Sequence, residues 1–115
     1  MTTDTSKDQL QKFIFDNAAV RGELIEVSDT WREIQSRHDY PKAVRNLLGE
    51  MTAAAALLSA NLKFNGAIVM QIHGDGPVKL LVVECDADLR LRATAKLTDG
   101  AVVSDDATVQ DLLNQ

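Results

Sequence analysis

Few side chains in this chain could do chemistry, and their spacing limits what that chemistry can be. There is one thiol, Cys85, two imidazoles, His38 and His73, and one glycine-rich turn, HGDGP at 73–77. A thiol beside an imidazole is the nucleophile–base pair of cysteine enzymes. Cys85, however, closes the apolar run VKLLVVEC, and no neighbour in sequence supplies the cationic setting that favours a thiolate. A strand cysteine behaving as a small hydrophobe is the expectation. His38 and His73 stand a helix and a strand apart and show no ligand spacing, so each reads as a surface or cap histidine. Glycine backbones can cradle an anion, but HGDGP lacks the lysine, the length and the following helix of a phosphate loop. It reads as a hairpin turn.

Two carboxylates complete the set. Asp39, just ahead of Pro41, is expected to cap the helix that follows. Glu50, between Gly49 and Met51, is the more interesting one: if it is buried it needs a partner, with Arg21 and Arg45 as candidates, in a structural ion pair. Phe13, Phe15, Trp31 and Phe64 are too few and too scattered for a platform that stacks single-stranded nucleic acid. No nucleophile, base and oxyanion site assemble, so no catalytic, cofactor-binding or metal residue is assigned. The chemistry points to a binding or interaction domain. The alternative is a small cytoplasmic regulatory domain or a thiol-dependent enzyme using Cys85, His73 or Glu50.

At 115 residues the chain is one domain or part of one, and 45% apolar content is enough for a core without staples. A formal charge of −5 argues against nucleic acid and anionic membranes as partners. The one cysteine cannot close an internal disulfide, and a single thiol cannot supply a tetrahedral zinc site, so a reducing cytoplasm is the expected compartment. The start MTTDTSKDQLQKF shows no basic segment followed by an apolar run, so no secretory signal is expected. The longest uncharged stretch, 51–62, is too short to cross a bilayer.

The elements that must position these residues follow from periodicity. Residues 1–8 are polar and expected to fray. KFIFDNAAVRGELIEV, from Lys12, reads as extended, with Phe13 and Phe15 on one side, Ile14 on the other, and Gly22 marking a bulge or a close approach. Ser28 is the expected N-cap of a short helix over 29–37 that carries Trp31, Ile34 and His38 on one face. Pro41 suits the first position of a second, longer helix. Val44, Leu47, Leu48, Met51, Ala55, Leu58 and Leu62 keep helical spacing for about 22 residues, or roughly 33 Å. Alanines and Leu57 fill the opposite side after Met51, which predicts cover on more than one side. Three strands follow. In the first, Ile68, Met70 and Ile72 share a face; the second, VKLLVVEC, is apolar enough to be central; in the third, Leu89, Leu91, Ala93, Ala95 and Leu97 point inward. A last helix carries Val109, Leu112 and Leu113 on one face, and the chain stops directly after that apolar pair with nothing to cover it, as a fragment would. The fold class is α+β: an antiparallel β-meander packed on a long central helix, preceded by an N-terminal strand and a short helix.

Five blocks in consistent order, VRGEL (20–24), HDYP (38–41), LLGEM (47–51), AAAALLSANLKFNG (53–66) and QIHGDGPVKLLVVEC (71–85), together resemble one family, the bacterial redox-regulated heat-shock chaperone or 33-kilodalton chaperonin. The resemblance covers about 13–113. It implies a cytoplasmic, ATP-independent chaperone that holds unfolding client proteins and, once activated, dimerises. The family switches on when zinc-binding cysteines in CxC and CxxC pairs oxidise. No such pair occurs here and Cys85 is not one of those ligands, so no zinc and no thiol switch carry over to these residues. The resemblance therefore implies part of the N-terminal substrate-holding domain without the C-terminal zinc and redox-switch domain. It also implies an exposed sheet edge and apolar surface through which the chain would self-associate as a homo-oligomer. Which residues contact clients is left unassigned.

Overall fold

The computed structural model describes residues 8–61 and 65–113; the fraying expected of the first residues, and the roles of Leu62 and Phe64, fall outside or almost wholly outside that range. The described elements are β1 (Gln9–Ile14), β2 (Arg21–Glu26), α1 (Ser28–Arg37), α2 (Lys42–Ser59), β3 (Ala67–His73), β4 (Val78–Asp86), β5 (Leu91–Leu97) and α3 (Val109–Leu113). They form an α+β fold with two separate antiparallel sheets, β1-β2 and β3-β4-β5.

The three-stranded sheet follows from alternation. Ile68, Met70 and Ile72 pair with Cys85, Val83 and Leu81, while Leu91, Ala93 and Ala95 face the same three residues from the other side. One face of the sheet is therefore continuously apolar, and α2 lies on it. Val44, Leu48 and Ala55 of α2 and Leu81, Val83 and Cys85 of β4 are fully buried there. Removing a large side chain such as Leu81 from water contributes roughly 1.5–3 kcal/mol. β4 is central, as its two-sided apolar sequence predicts.

Polar groups inside this layer are tied down. The Thr52 hydroxyl donates to the Leu48 carbonyl at 2.8 Å, one turn back, and the Ser59 hydroxyl donates to the Cys85 carbonyl at 3.2 Å, pinning the end of α2 to β4. The buried Tyr40 hydroxyl lies 3.2 Å from the Thr94 hydroxyl and accepts the Ala95 N–H at 3.1 Å, holding the segment before α2 against the outer edge of β5.

Several expectations are corrected. The N-terminal segment is a hairpin of two strands, not one: the Phe15 N–H donates to the Val20 carbonyl at 3.0 Å, and 16–19 turn the chain. Asp16 and Asn17 supply the turn, as short polar side chains do where the backbone reverses. Gly22 is a close approach, with the Phe13 ring lying across it. Val27, not Ser28, is the N-cap of α1; the Ser28 hydroxyl goes instead to the Glu26 carboxylate at 2.7 Å. Pro41 is the N-cap of α2, one position earlier than expected, and Asp39 supplies no side-chain cap. The cover over α2 is one-sided: Leu58 is 54% exposed, and Ala53, Ala54 and Leu57 are only half-buried.

The last helix is also corrected. Leu112 is 1% exposed, so the core covers it, whereas Val109 faces solvent. Thr108 and Asp111 cap α3 reciprocally, each side chain accepting the other's backbone N–H at 3.1 and 3.0 Å. The HGDGP segment is the β3–β4 turn, and its amides are used: Asp75 and Gly76 both donate to the Leu113 carbonyl, at 2.8 and 3.1 Å.

A side chain at Gly74 would lie 2.6 Å from the Val78 carbonyl oxygen and 2.8 Å from that of Leu113, backbone atoms that cannot rotate away. Gly74→Ala should therefore cost about 1–3 kcal/mol in a urea unfolding curve. Gly22→Ala should cost clearly less, because the Phe13 ring it meets can swing outward. Tyr40→Phe orphans the Ala95 N–H and should cost about 1–3 kcal/mol by the same measurement.

Candidate functional site

The chemically capable residues are not brought together. Cys85 lies on the inner face of β4, between Ile68 and Leu91, whereas His73 ends β3 on the opposite face, across from Leu80. His38 is the exposed C-cap of α1, its ring 5.4 Å from that of Tyr40. Glu50 is exposed on α2, so the condition for a buried ion pair with Arg21 or Arg45 does not arise; it borders a shallow surface groove with Arg45 and Trp31. Among the described residues, no three His, Cys, Asp or Glu side chains are grouped to hold a metal ion. Nor is any described helix long and apolar enough to cross a membrane.

The Cys85 thiol is pushed up from its ordinary range by burial, with the nearby Asp86 charge adding and the Ser59 hydroxyl partly opposing. A raised thiol pKa makes it a poor nucleophile at neutral pH. Asp86 moves the other way. The backbone N–H of Arg90 lowers its pKa most, followed by that of Asp88 and the Arg90 guanidinium, which closes the β4–β5 turn.

Since the folded state holds the Cys85 proton more tightly than the unfolded chain, its contribution is complete below the ordinary thiol range and fades as pH rises through the raised value. Urea unfolding curves recorded from about pH 8 to 10 should show stability falling, and Cys85→Ala should flatten that fall. Native alkylation by iodoacetamide should be slow and become fast only in denaturant.

The prominent surface feature is apolar. In the β1-β2 hairpin, Leu10, Lys12 and Ile14 alternate with Gln11, Phe13 and Phe15, and the paired strand places Ile25 and Glu23 opposite the first set and Leu24 and Gly22 opposite the second. The first set faces the body of the protein; the second faces solvent. Phe13, Phe15, Val20 and Leu24 are all exposed on that outer side, with Leu24 at 62%, and Ile14 at the tip reaches 74%. The Phe13 and Phe15 rings stack with centroids 6.1 Å apart. A contiguous exposed apolar patch of this kind marks an interaction surface. Sequence reasoning placed Phe13 and Phe15 on one side but missed that a turn brings Val20 and Leu24 beside them. The polar DNAA segment between two apolar runs was the available signal.

Both edges of the main sheet are also open among the described residues: β3 and β5 each pair only with β4. Tyr40 occupies one edge amide of β5, that of Ala95. Open edges of this type are templates for another strand.

The sequence is similar to those of known proteins over most of its length. A 33 kDa chaperonin of Chromobacterium violaceum is 52% identical over 89 residues, covering 77% of this chain and 30% of the relative. The 33 kDa chaperonin of Serratia proteamaculans is 41% identical over 109 residues, or 95% of this chain and 37% of the relative. That of Pasteurella multocida is 43% identical over 115 residues, or 100% of this chain and 39% of the relative. The chain thus spans about a third of the length of these curated relatives. The family described as Hsp33 protein matches residues 8–115, and the chain belongs to it.

Proposed function

We propose that this chain is part of the N-terminal substrate-holding domain of an ATP-independent holdase chaperone of the cytoplasm, and that it holds unfolding proteins through exposed apolar surface. The observation that carries the reading is the solvent-facing side of the β1-β2 hairpin, where Phe13, Phe15, Val20 and Leu24 lie together uncovered. Apolar side chains without partners can meet the apolar segments that a client exposes as it unfolds, and the free edges of β3 and β5 can add main-chain hydrogen bonds to an extended segment. The relatives bear the name chaperonin, which supports the same reading.

The family's zinc and redox control is not assigned to these residues. They contain one cysteine, which cannot form a disulfide within the chain and whose burial and raised pKa disfavour oxidation of its thiolate. Holding by this chain is therefore independent of oxidant. The same surface also accounts for self-association: a second copy can cover an open strand edge or the hairpin face, so a homo-oligomer in exchange with a client-binding form is expected.

Light scattering of a thermally unfolding client tests the reading. The chain should suppress aggregation equally in reducing buffer and in hydrogen peroxide. Phe13→Ser with Phe15→Ser should raise the amount needed for half-suppression by about tenfold, as loss of two aromatic anchors does at an interface. Full activity in that double variant, or no suppression by the unmodified chain, would overturn it. Sedimentation velocity at micromolar concentration checks the oligomer; a lone monomer peak counts against self-association.

A further inference from the structure

The hairpin is attached to the rest of the fold in an unusual way. None of its residues belongs to the hydrophobic core, and none is among the partly buried apolar side chains that pack against that core. The hydrogen bonds that tie it to the body sit at two points. At one, the Asp8 carboxylate accepts the backbone N–H groups of Asp29, at 2.9 Å, and Thr30, at 3.2 Å, together with the Thr30 hydroxyl. A residue ahead of β1 thus caps α1 from 21 positions away. At the other, beyond the end of α2, the Lys12 ammonium donates to the Ala60 carbonyl at 3.3 Å and the Asn61 amide donates to the Glu23 carboxylate at 2.9 Å.

Between these two fastenings the fit is loose. Leu10 and Ile25 are only partly buried and face Ala56, Leu89 and Leu91 across a gap of about 110 Å³. Side chains lining such a gap lack contact atoms on one side and forfeit part of their dispersion attraction. A two-stranded sheet has little stability of its own. The main layer, by contrast, is closed by fully buried side chains that owe nothing to the hairpin.

From this we propose that the β1-β2 hairpin is a strap that opens as one unit while the α2–β4 layer stays folded, and that opening bares the apolar strip formed by Ala56, Leu89 and Leu91. Asp8 is its main fastening, because a single carboxylate there satisfies two helix amides and a hydroxyl. This opening is a property of the fold and does not depend on the client-holding reading.

Native-state hydrogen exchange of the full chain in low urea tests it. The amides of β1 and β2 should converge on one common opening, lower in free energy and shallower in urea dependence than that of the β4 amides. Asp8→Ala should lower protection of the hairpin amides about tenfold, as loss of a helix cap does, with the β4 amides unchanged. Asp8→Asn, which keeps the acceptor, should restore most of it, and Asn61→Ala should lower the same set. Hairpin amides that exchange together with those of β4 overturn the proposal. So does a loss in Asp8→Ala spread equally over both sets. The test reads exchange rates alone, so a negative aggregation assay leaves it standing and a positive one does not rescue it.

Discussion

Val44, Leu48 and Ala55 on α2 and Leu81, Val83 and Cys85 on β4 are removed from water completely, and every other part of the molecule is placed by that contact. It works because two periods coincide. The helix repeats its apolar positions every three or four residues, and the strand repeats them every second residue. Where the two stripes face each other, a layer closes without a polar group inside it, apart from the Thr52 and Ser59 hydroxyls, which find carbonyl partners. β3 and β5 then have their inward faces decided by register with β4, and α3 is drawn in through Leu112. The β3–β4 turn must carry glycine at 74 because the end of α3 closes on it from outside.

The same contact decides what stays outside. α2 has only one buried face, so its opposite side and the hairpin lying near it are held by weaker means. Polar ties at chain ends give geometry without much cohesion, since a surface hydrogen bond or ion pair replaces contacts that water would otherwise make. Lys12 and Glu23, 3.9 Å apart across the hairpin's own two strands, add little cohesion even there, because Lys12 is well exposed. The molecule therefore has two tiers, a layer that resists opening and a strap that resists it less. Its apolar surface is concentrated on the second tier.

Legibility in the sequence followed the range of the interactions. β3 and β4 could be read almost to the residue because alternation is local and each strand carries its own record of which side is buried. β5 starts at Leu91, and Leu89, expected as its first inward residue, lies instead in the β4–β5 turn with φ 62° and its N–H on the Asp86 carbonyl. α1 and α2 were legible in extent for the same reason. Their caps were not. The partner of the α1 amides is Asp8, far upstream, and a search near Ser28 finds only Ser28. Tyr40 likewise meets Thr94 and Ala95 across more than 50 positions, and nothing in HDYP announces this. The run of alanines in α2 was read as buried all round because small apolar residues look the same whether they are packed or merely tolerated. The hairpin turn was missed because it lacks glycine and proline, the residues that usually mark a reversal. The apolar surface depends on that turn, so the candidate site was only half visible.

The placement of Cys85 bears on where function can reside. A thiol becomes reactive when a nearby positive charge or helix N-terminus stabilises its anion and solvent or substrate can reach it. At Cys85 each requirement is reversed: burial and the Asp86 charge disfavour the anion, and the side chain is enclosed by the same layer that forms the core. Making it reactive would mean opening the contact on which the fold rests. The two histidines lie on solvent-facing positions remote from that layer's interior, so neither can serve it as a base. Among the described residues, Cys85 and the two histidines therefore do not form a nucleophile–base pair. What the described surface offers, an uncovered aromatic pair with two aliphatic neighbours and two sheet edges without a further described strand beside them, is suited to partners that expose apolar segments.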